Sequence, residues 1–310
     1  MLQKKDKRIK IAQSELSTSF ARKKGIELAE GEYITFCDCD DIYINNESFT
    51  RMMEIAEHTG SDIVQFGHYI NRLGKLTRHV PSEELTIDRT QLLDSYISGA
   101  IGAYKGKING YVWNKVYRSM ILKSAAEKMD EALIKTEDAY LNTCAFFEES
   151  VQSVSFSPEC FYVYYTGFGY SGASDAGEKL FEEYGIFKPI VLNLARQNHC
   201  GKTVFIKCYR EILNFLHVLI EQYIISGQRK EQVISIIQEY TSWDFVKEAA
   251  SFFLNDDQKW DDHILRLSQI ADAEAYYNMC LNDIGNLRRR RIQYKVKHTI
   301  KNTLRWIDRL

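Results

Sequence analysis

One stretch constrains this chain more than any other. Tyr33-Ile34-Thr35-Phe36-Cys37-Asp38-Cys39-Asp40-Asp41-Ile42 is an apolar, β-prone run that ends in three carboxylates. Tyr33 to Cys37 has the length and composition of a buried strand. Three acids within four positions repel one another, and a core does not hold them unpaired. They therefore belong at the exposed carboxyl end of the strand, where an open α/β sheet has its ligand crevice. Hard oxygen ligands at this spacing suit Mg²⁺ or Mn²⁺, and such a cation commonly also holds a substrate phosphate. The plainer alternative is a solvated acidic turn, with Asp40 or Asp41 capping the next element.

The flanking residues place this strand in a pattern. Arg8-Ile9-Lys10-Ile11-Ala12 alternates like a short strand. Phe20, Ala21, Gly25, Leu28 and Ala29 then recur at helical steps, which predicts a helix from about Ser17 to Ala29. Strand, helix, strand is the alternation that leads to a parallel sheet. Beyond the acids, the spacing predicts a helix from Glu47 to His58 and a strand from Asp62 towards Ile70. Lys75 to Val80 is expected to turn back on that strand at Gly74. A helix over Leu92 to Ile97, a β-prone run over Gly110 to Arg118 and a helix beginning at Thr136 follow. Val151 to Phe156 and Cys160 to Tyr165 read as two strands, with Pro158 at a turn between them. From about Ala176 alternation gives way to helical spacing. Two domains are expected: an α/β domain over residues 1–174 and a helical region over 175–310.

Seven cysteines without paired spacing suggest reduced thiols and a cytoplasmic protein. No run reaches the roughly 18 to 20 apolar residues of a membrane span. The net charge of −2 is unevenly distributed. Residues 288–310 hold nine Lys or Arg and a single acid, Asp308. Ile292, Val296, Ile300, Leu304 and Ile307 line one side of that basic segment, as on an amphipathic helix. It reads as a contact with the anionic inner membrane surface, or equally as a solvated helix packed on its neighbours. Nucleic acid is not an expected partner, because the body is acidic and basic character is confined to one helix.

Two further groups carry chemistry. Glu137-Asp138 falls at a predicted helix start, where the dipole favours an ionised carboxylate and so a proton acceptor; simple capping is the alternative. Trp113-Asn114-Lys115 offers an indole face for a sugar ring or base, with an amide and an ammonium for hydroxyls or phosphate. The alternative is a half-buried strand with Lys115 in solvent.

Their order carries a resemblance. Ala21-Arg22-x-x-Gly25-Ile26, Ala29-x-Gly31-Glu32-Tyr33-Ile34-x-Phe36, Asp38-x-Asp40-Asp41, Trp113-Asn114-Lys115-x-Tyr117-Arg118 and Glu137-Asp138 resemble the family 2 glycosyltransferases, which have the GT-A fold. The resemblance covers about residues 8–175. It implies inverting transfer of a sugar from a nucleotide-diphosphate donor, most often a UDP-sugar, to a glycan or lipid-linked acceptor. Such enzymes serve polysaccharide biosynthesis at the bacterial cell envelope. By the resemblance, Asp38 contacts the nucleotide, Asp40 binds the divalent metal and Asp41 supports that metal site. Asp138 is the general base, Arg22 lies near the diphosphate, and Trp113, Asn114 and Lys115 shape the sugar and acceptor pocket.

The family opens with a strand ending in a Pro-x-Tyr-Asn-like turn and a second ending in an Asp-x-Ser-like motif, and neither is present in this chain. Lys23 stands where the family usually has Asn after Ala-Arg, and residues 13–19 lack its usual Asn-x-Gly. A chain of these residues alone is therefore expected to have little or no transferase activity. The second reading is an inactive remnant or a module that docks on a membrane or partner enzyme. A third is a haloacid dehalogenase-type phosphohydrolase with Asp38 as nucleophile. That chemistry needs a later acidic motif, and the late pair Asp261-Asp262 lies in a helical context.

Overall fold

Ser17 starts the first helix: its Oγ accepts from the Phe20 amide at 3.1 Å, satisfying one of the free amides of helix α1, Thr18–Leu28. The computed structural model describes residues 4–13, 17–81, 83–97, 108–129, 133, 136–166, 177–256 and 258–284. Arg8 to Ala12, expected as a strand, is not one. No strand pairs with it, Arg8 turns back to Asp6, and Ile11 is exposed.

The strand before the acids is shorter than its composition suggests. β1 is Tyr33–Ile34 only. From Thr35 onward side chains replace the ladder: Thr35 Oγ1 donates to the Lys115 carbonyl at 2.8 Å, and the Tyr43 hydroxyl donates to the Phe36 carbonyl at 2.8 Å. The backbone thus leaves the sheet two residues in and curls into the acidic turn.

β2 (Ile42–Tyr43) leads to helix α2 (Ser48–Thr59), which stops at Gly60 in the left-handed region. β3 (Ile63–Arg72) and β4 (Lys75–His79) form the hairpin expected at Gly74. β5 (Leu85–Asp88) follows, then a helical turn α3 (Arg89–Gln91) that runs into a π turn over Leu92–Tyr96. β6 (Lys115–Arg118), α4 (Ser119–Glu127), α5 (Glu137–Phe147) and β7 (Ser153–Thr166) complete the sheet and its cover.

The strands run in the order β1-β6-β3-β7-β2, with β4 on β3 and β5 on β7. The sheet is mixed rather than parallel. β3 and β7 are its parallel pair, and each of the other pairings is antiparallel. Helical crossover supplies the parallel pair, while hairpin returns and short edge strands supply the rest.

Val151 to Tyr165 does not break into two strands. β7 continues through Pro158, and its register against β3 slips there: Phe66 faces Ser157, Gly67 faces Cys160, and His68 faces Tyr162. A proline with no amide to give is accommodated at such a bulge. Gly67 is required opposite it, since a Cβ there would lie 2.7 Å from Val80 Cγ1 and 2.9 Å from Cys160 Sγ. Val64, Phe66, Val116, Trp113 and Tyr162 pack with Met52 and Ala56 of α2 to form the core behind the acidic turn.

Backbone contacts group the chain into Met1–Phe205 and Ile206–Leu310. The first unit adds helix α6 (Gly177–Gln197) to the sheet. The second is helical, as the sequence predicts: most of α7 (Lys202–Ser226), then α8 (Lys230–Ser242), α9 (Asp244–Asn255), α10 (Asp262–Leu267) and α11 (Ala273–Asp283). Leu213, Leu216, Ile237, Tyr240, Val246 and Ile264 are buried in it. Asp261 caps α10, with Oδ1 accepting from the Ile264 amide at 2.9 Å, so the late acid pair serves a helix start. The boundary expected at 174/175 and the basic segment 288–310 lie outside the described residues. No helix among the described residues is long and apolar enough to cross a membrane.

Candidate active site

The three acids after β1 have different fates. The Asp41 amide donates to the Asp38 carbonyl at 3.1 Å, which closes a four-residue turn over Asp38 to Asp41. Asp41 is buried: Oδ2 accepts from the Tyr162 hydroxyl at 2.9 Å and Oδ1 from the Tyr165 amide at 2.8 Å. The Tyr162 hydroxyl in turn accepts from the Asp38 amide at 2.9 Å. Burial raises the Asp41 carboxyl to about 6, against the pull of the Tyr165 and Tyr162 hydrogen bonds. Asp41 is thus the post that fixes the turn to β7, while Asp38 is half-buried and Asp40 exposed. Among the described residues no three His, Cys, Asp or Glu side chains gather as a ready-made cation site.

Arg22 joins this turn to helix α5. Its Nη2 donates to Asp38 Oδ1 at 3.2 Å and its Nη1 to Glu137 Oε1 at 2.9 Å; Nη1 also donates to Asp138 Oδ1. Burial opposes the charge on Arg22, but Asp138, Glu137 and Asp38 outweigh it and hold the guanidinium above its ordinary range. Three residues singled out from distant parts of the sequence therefore meet: Arg22, Asp38 and Asp138. The Asp138 carboxylate also takes a hydrogen bond from the Val112 amide.

The helix-dipole argument alone favours an ionised Asp138. In the fold, burial outweighs the dipole and raises Asp138, with Arg22 pulling the other way. Burial and the neighbouring Asp138 push Glu137 up to about 7. Two carboxylates on one guanidinium titrate as a coupled pair, and burial raises both. Thr136 occupies the expected N-cap position, yet its hydroxyl does not cap the helix. It donates to Glu183 Oε2 at 3.1 Å, alongside the Thr136 amide at 3.0 Å.

Trp113, Asn114 and Lys115 lie beside this cluster, but all three are buried. The Trp113 ring is stacked with Tyr111 and with Tyr162, its centroid 4.7 Å from each. Asn114 bonds across to β3, with Nδ2 donating to the Phe66 carbonyl at 3.3 Å. Lys115, expected to reach substrate or solvent, turns inward. Its ammonium donates to the Asn109 carbonyl at 2.9 Å, to Asn109 Oδ1 at 2.8 Å, to Asn114 Oδ1 at 3.1 Å and to the Tyr111 carbonyl. Burial holds it well below its ordinary pKa.

These bonds fold residues 109–114 into a loop that presents the Val112 amide to Asp138 and leaves Tyr111 as the exposed aromatic. Asn142 of α5 fastens the other side: Nδ2 donates to the Gly110 carbonyl at 2.7 Å, and Oδ1 accepts from the Tyr117 hydroxyl at 2.7 Å. Lys115→Met is expected to cost about 2–4 kcal/mol, because several buried acceptors lose their donor at once. Denaturant unfolding should show a lower midpoint with an unchanged slope.

Sequence reasoning missed Tyr162 and Asn142, which hold Asp41 and the Val112 loop. Their signals were present: a tyrosine-rich strand for the first, and an asparagine inside a helix for the second.

Residues 1–125 match the family described as Glycosyl transferase family 2. EpsJ, an uncharacterized glycosyltransferase of Bacillus subtilis, is 29% identical over 259 residues, which cover 79% of this chain and 71% of EpsJ. Among solved structures, S. aureus TarS 1–349 in complex with UDP-GlcNAc superposes with a TM-score of 0.59 at 17% identity, covering 96% of this chain and 79% of that one. That likeness fixes the fold as α/β of the GT-A type followed by helices. The family match extends through the acidic turn and the Trp113 loop, so the part of the chain that holds the site is similar to the family 2 glycosyltransferases.

Proposed function

We propose that this chain moves a sugar from a nucleotide-diphosphate donor to an acceptor hydroxyl, with inversion at the anomeric carbon and Asp138 as general base. The observation that carries this reading is the convergence of Arg22, Asp38, Glu137 and Asp138 from three separate elements. The donor class follows from the family and is supported by TarS, which was crystallised with UDP-GlcNAc. A UDP-sugar is thus the first donor to test, with a glycan or lipid-linked hydroxyl as acceptor. Residues 288–310 would hold the chain at an anionic membrane surface where lipid-linked acceptors reside.

In this reading Asp38 meets the nucleotide, which is supported by the hydrogen bond from Arg22 that orients its carboxylate. Asp138 accepts the proton of the acceptor hydroxyl as the new glycosidic bond forms and the bond to the diphosphate breaks. A buried acceptor with a raised pKa is a stronger base once ionised. Asp38 and Asp40 fit a divalent cation: Mg²⁺ is typically held by one or two carboxylates together with substrate phosphates, and these two are the accessible ones. When bound, Mg²⁺ or Mn²⁺ would neutralise charge on the departing diphosphate. Asp41, expected among the ligands, is already committed to Tyr162 and Tyr165 and supports the turn from behind. Trp113, Asn114 and Lys115 act from behind in the same way, by building the loop that carries Tyr111.

Calorimetric titration with UDP-sugars in the presence of Mn²⁺ tests the reading. Saturable binding is expected, weakened about tenfold or more by Asp40→Asn, the loss of roughly one charge-assisted contact. Absence of both donor binding and UDP release would leave a non-catalytic docking module as the better account.

A further inference from the structure

The outer part of the β3–β4 hairpin, from Arg72 to Val80, takes no part in the hydrogen bonds of the site described above, and its composition is unusual for a solvated edge. From Arg72 to Val80 it carries Arg72, Lys75 and Arg78 and no acid. All five residues of β4 are exposed. Leu73 is 61% exposed and Leu76 55% exposed.

Two features of the hairpin run against its own stability. Arg72 and Lys75 face each other across the ladder, where like charges repel. No ion pair joins either of them, or Arg78, to any described residue; Arg78 reaches only the Pro158 carbonyl, at 2.8 Å. The tip is a two-residue turn with positive φ at both central positions, 52° at Leu73 and 83° at Gly74. Such a turn favours Asn or Asp followed by Gly. A leucine in the left-handed region is disfavoured by its Cβ and gains nothing from exposure. Exposed leucines, one of them on a strained backbone, set among unpaired cations have one chemical complement that satisfies both: a surface with anionic headgroups above hydrocarbon. An anionic polymer would neutralise the cations and leave both leucines in water.

We propose that the β3–β4 hairpin docks on an anionic lipid surface, with Arg72, Lys75 and Arg78 at the headgroups and Leu73 and Leu76 entering the acyl boundary. The proposal involves none of residues 288–310, and it does not depend on the glycosyltransfer reading.

Sedimentation of the full chain with vesicles tests it, without donor or metal. Binding is expected to vesicles containing phosphatidylglycerol and not to pure phosphatidylcholine. The double variant Arg72→Gln, Lys75→Gln should bind about 25-fold more weakly, since each cation near such a surface contributes about fivefold. Leu73→Asn with Leu76→Thr should also weaken binding; Asn suits the positive φ, so the fold is retained. In a Leu76→Trp variant the added indole emission should shift to the blue and be quenched by brominated acyl chains. Variants that sediment like the unaltered chain would overturn the proposal, because the attachment would then lie elsewhere. Equal hairpin-dependent binding to a soluble polyanion such as poly(U), indifferent to the leucines, would overturn it too.

Discussion

Asp138→Asn is expected to slow sugar transfer about 10²–10⁴-fold, the usual contribution of a positioned general base. The affinity for donor should stay within a few-fold, because Asn retains the shape and still accepts from the Val112 amide. The loss therefore belongs in kcat, read from UDP release and product formation at saturating donor. The pH profile provides a second readout. Burial and the neighbouring Asp138 push Glu137 up to about 7, and burial raises Asp138 as well, so the rate should climb with pH as the pair ionises. Glu137→Gln removes one like charge from beside Asp138, and its acid limb should move to lower pH. A purely structural role for Asp138 would leave that limb where it is.

Arg22→Ala should have the largest effect on stability. It strips the cation from three carboxylates, two of them at a buried helix start, and breaking a buried pair in this way costs about 3–5 kcal/mol. Arg22→Lys should recover only part of this, since one ammonium cannot reach Asp38 and Asp138 from two separate nitrogens. The pH dependence has a definite sign. Glu137 has its folded pKa raised from 4.5 to about 7, so its contribution to stability is present at low pH and is lost as pH rises through about 7. Thermal melting of Arg22→Ala should accordingly improve on mild acidification, more than for the unaltered chain.

The features legible in the sequence are local ones. Ser17 at a helix start, Gly74 at a hairpin and acids at the head of α5 each act within a few residues of themselves, and each falls where pattern places it. The acidic turn was legible because three carboxylates exclude most alternatives. What depends on distant partners was not. Lys115 in a β-prone run reads as solvent-facing, and only the folded Asn109–Tyr111 loop supplies the oxygens that draw it inward. Pro158 reads as a turn because a proline is costly inside a strand; the slipped pairing with β3 is what removes that cost. Strand direction was also hidden, since alternation along one strand does not reveal how its neighbour runs. Asp138 falls at the helix start that the sequence predicts, but the dipole argument misjudges its charge balance, because the dipole is local and the burial is not.

The slip at Pro158 has a consequence for which changes in length the chain tolerates. Ahead of it, Ser155 and Ser157 share a face with Val64 and Phe66; beyond it, Tyr162 and Tyr164 share the face of His68 and Ile70. The parity of β7 is inverted midway, from odd-numbered to even-numbered residues on one side. Unbroken alternation from Ser157 onward would carry Tyr162 and Tyr164 to the opposite surface, away from Asp41 and Trp113, so the slip is what keeps the anchor of the acidic turn in place. Loss of a single residue between Ser157 and Phe161 would leave an even spacing that simple alternation satisfies. It is therefore the change in length at this point that the site absorbs best, whereas loss of two residues would require the irregularity to be rebuilt.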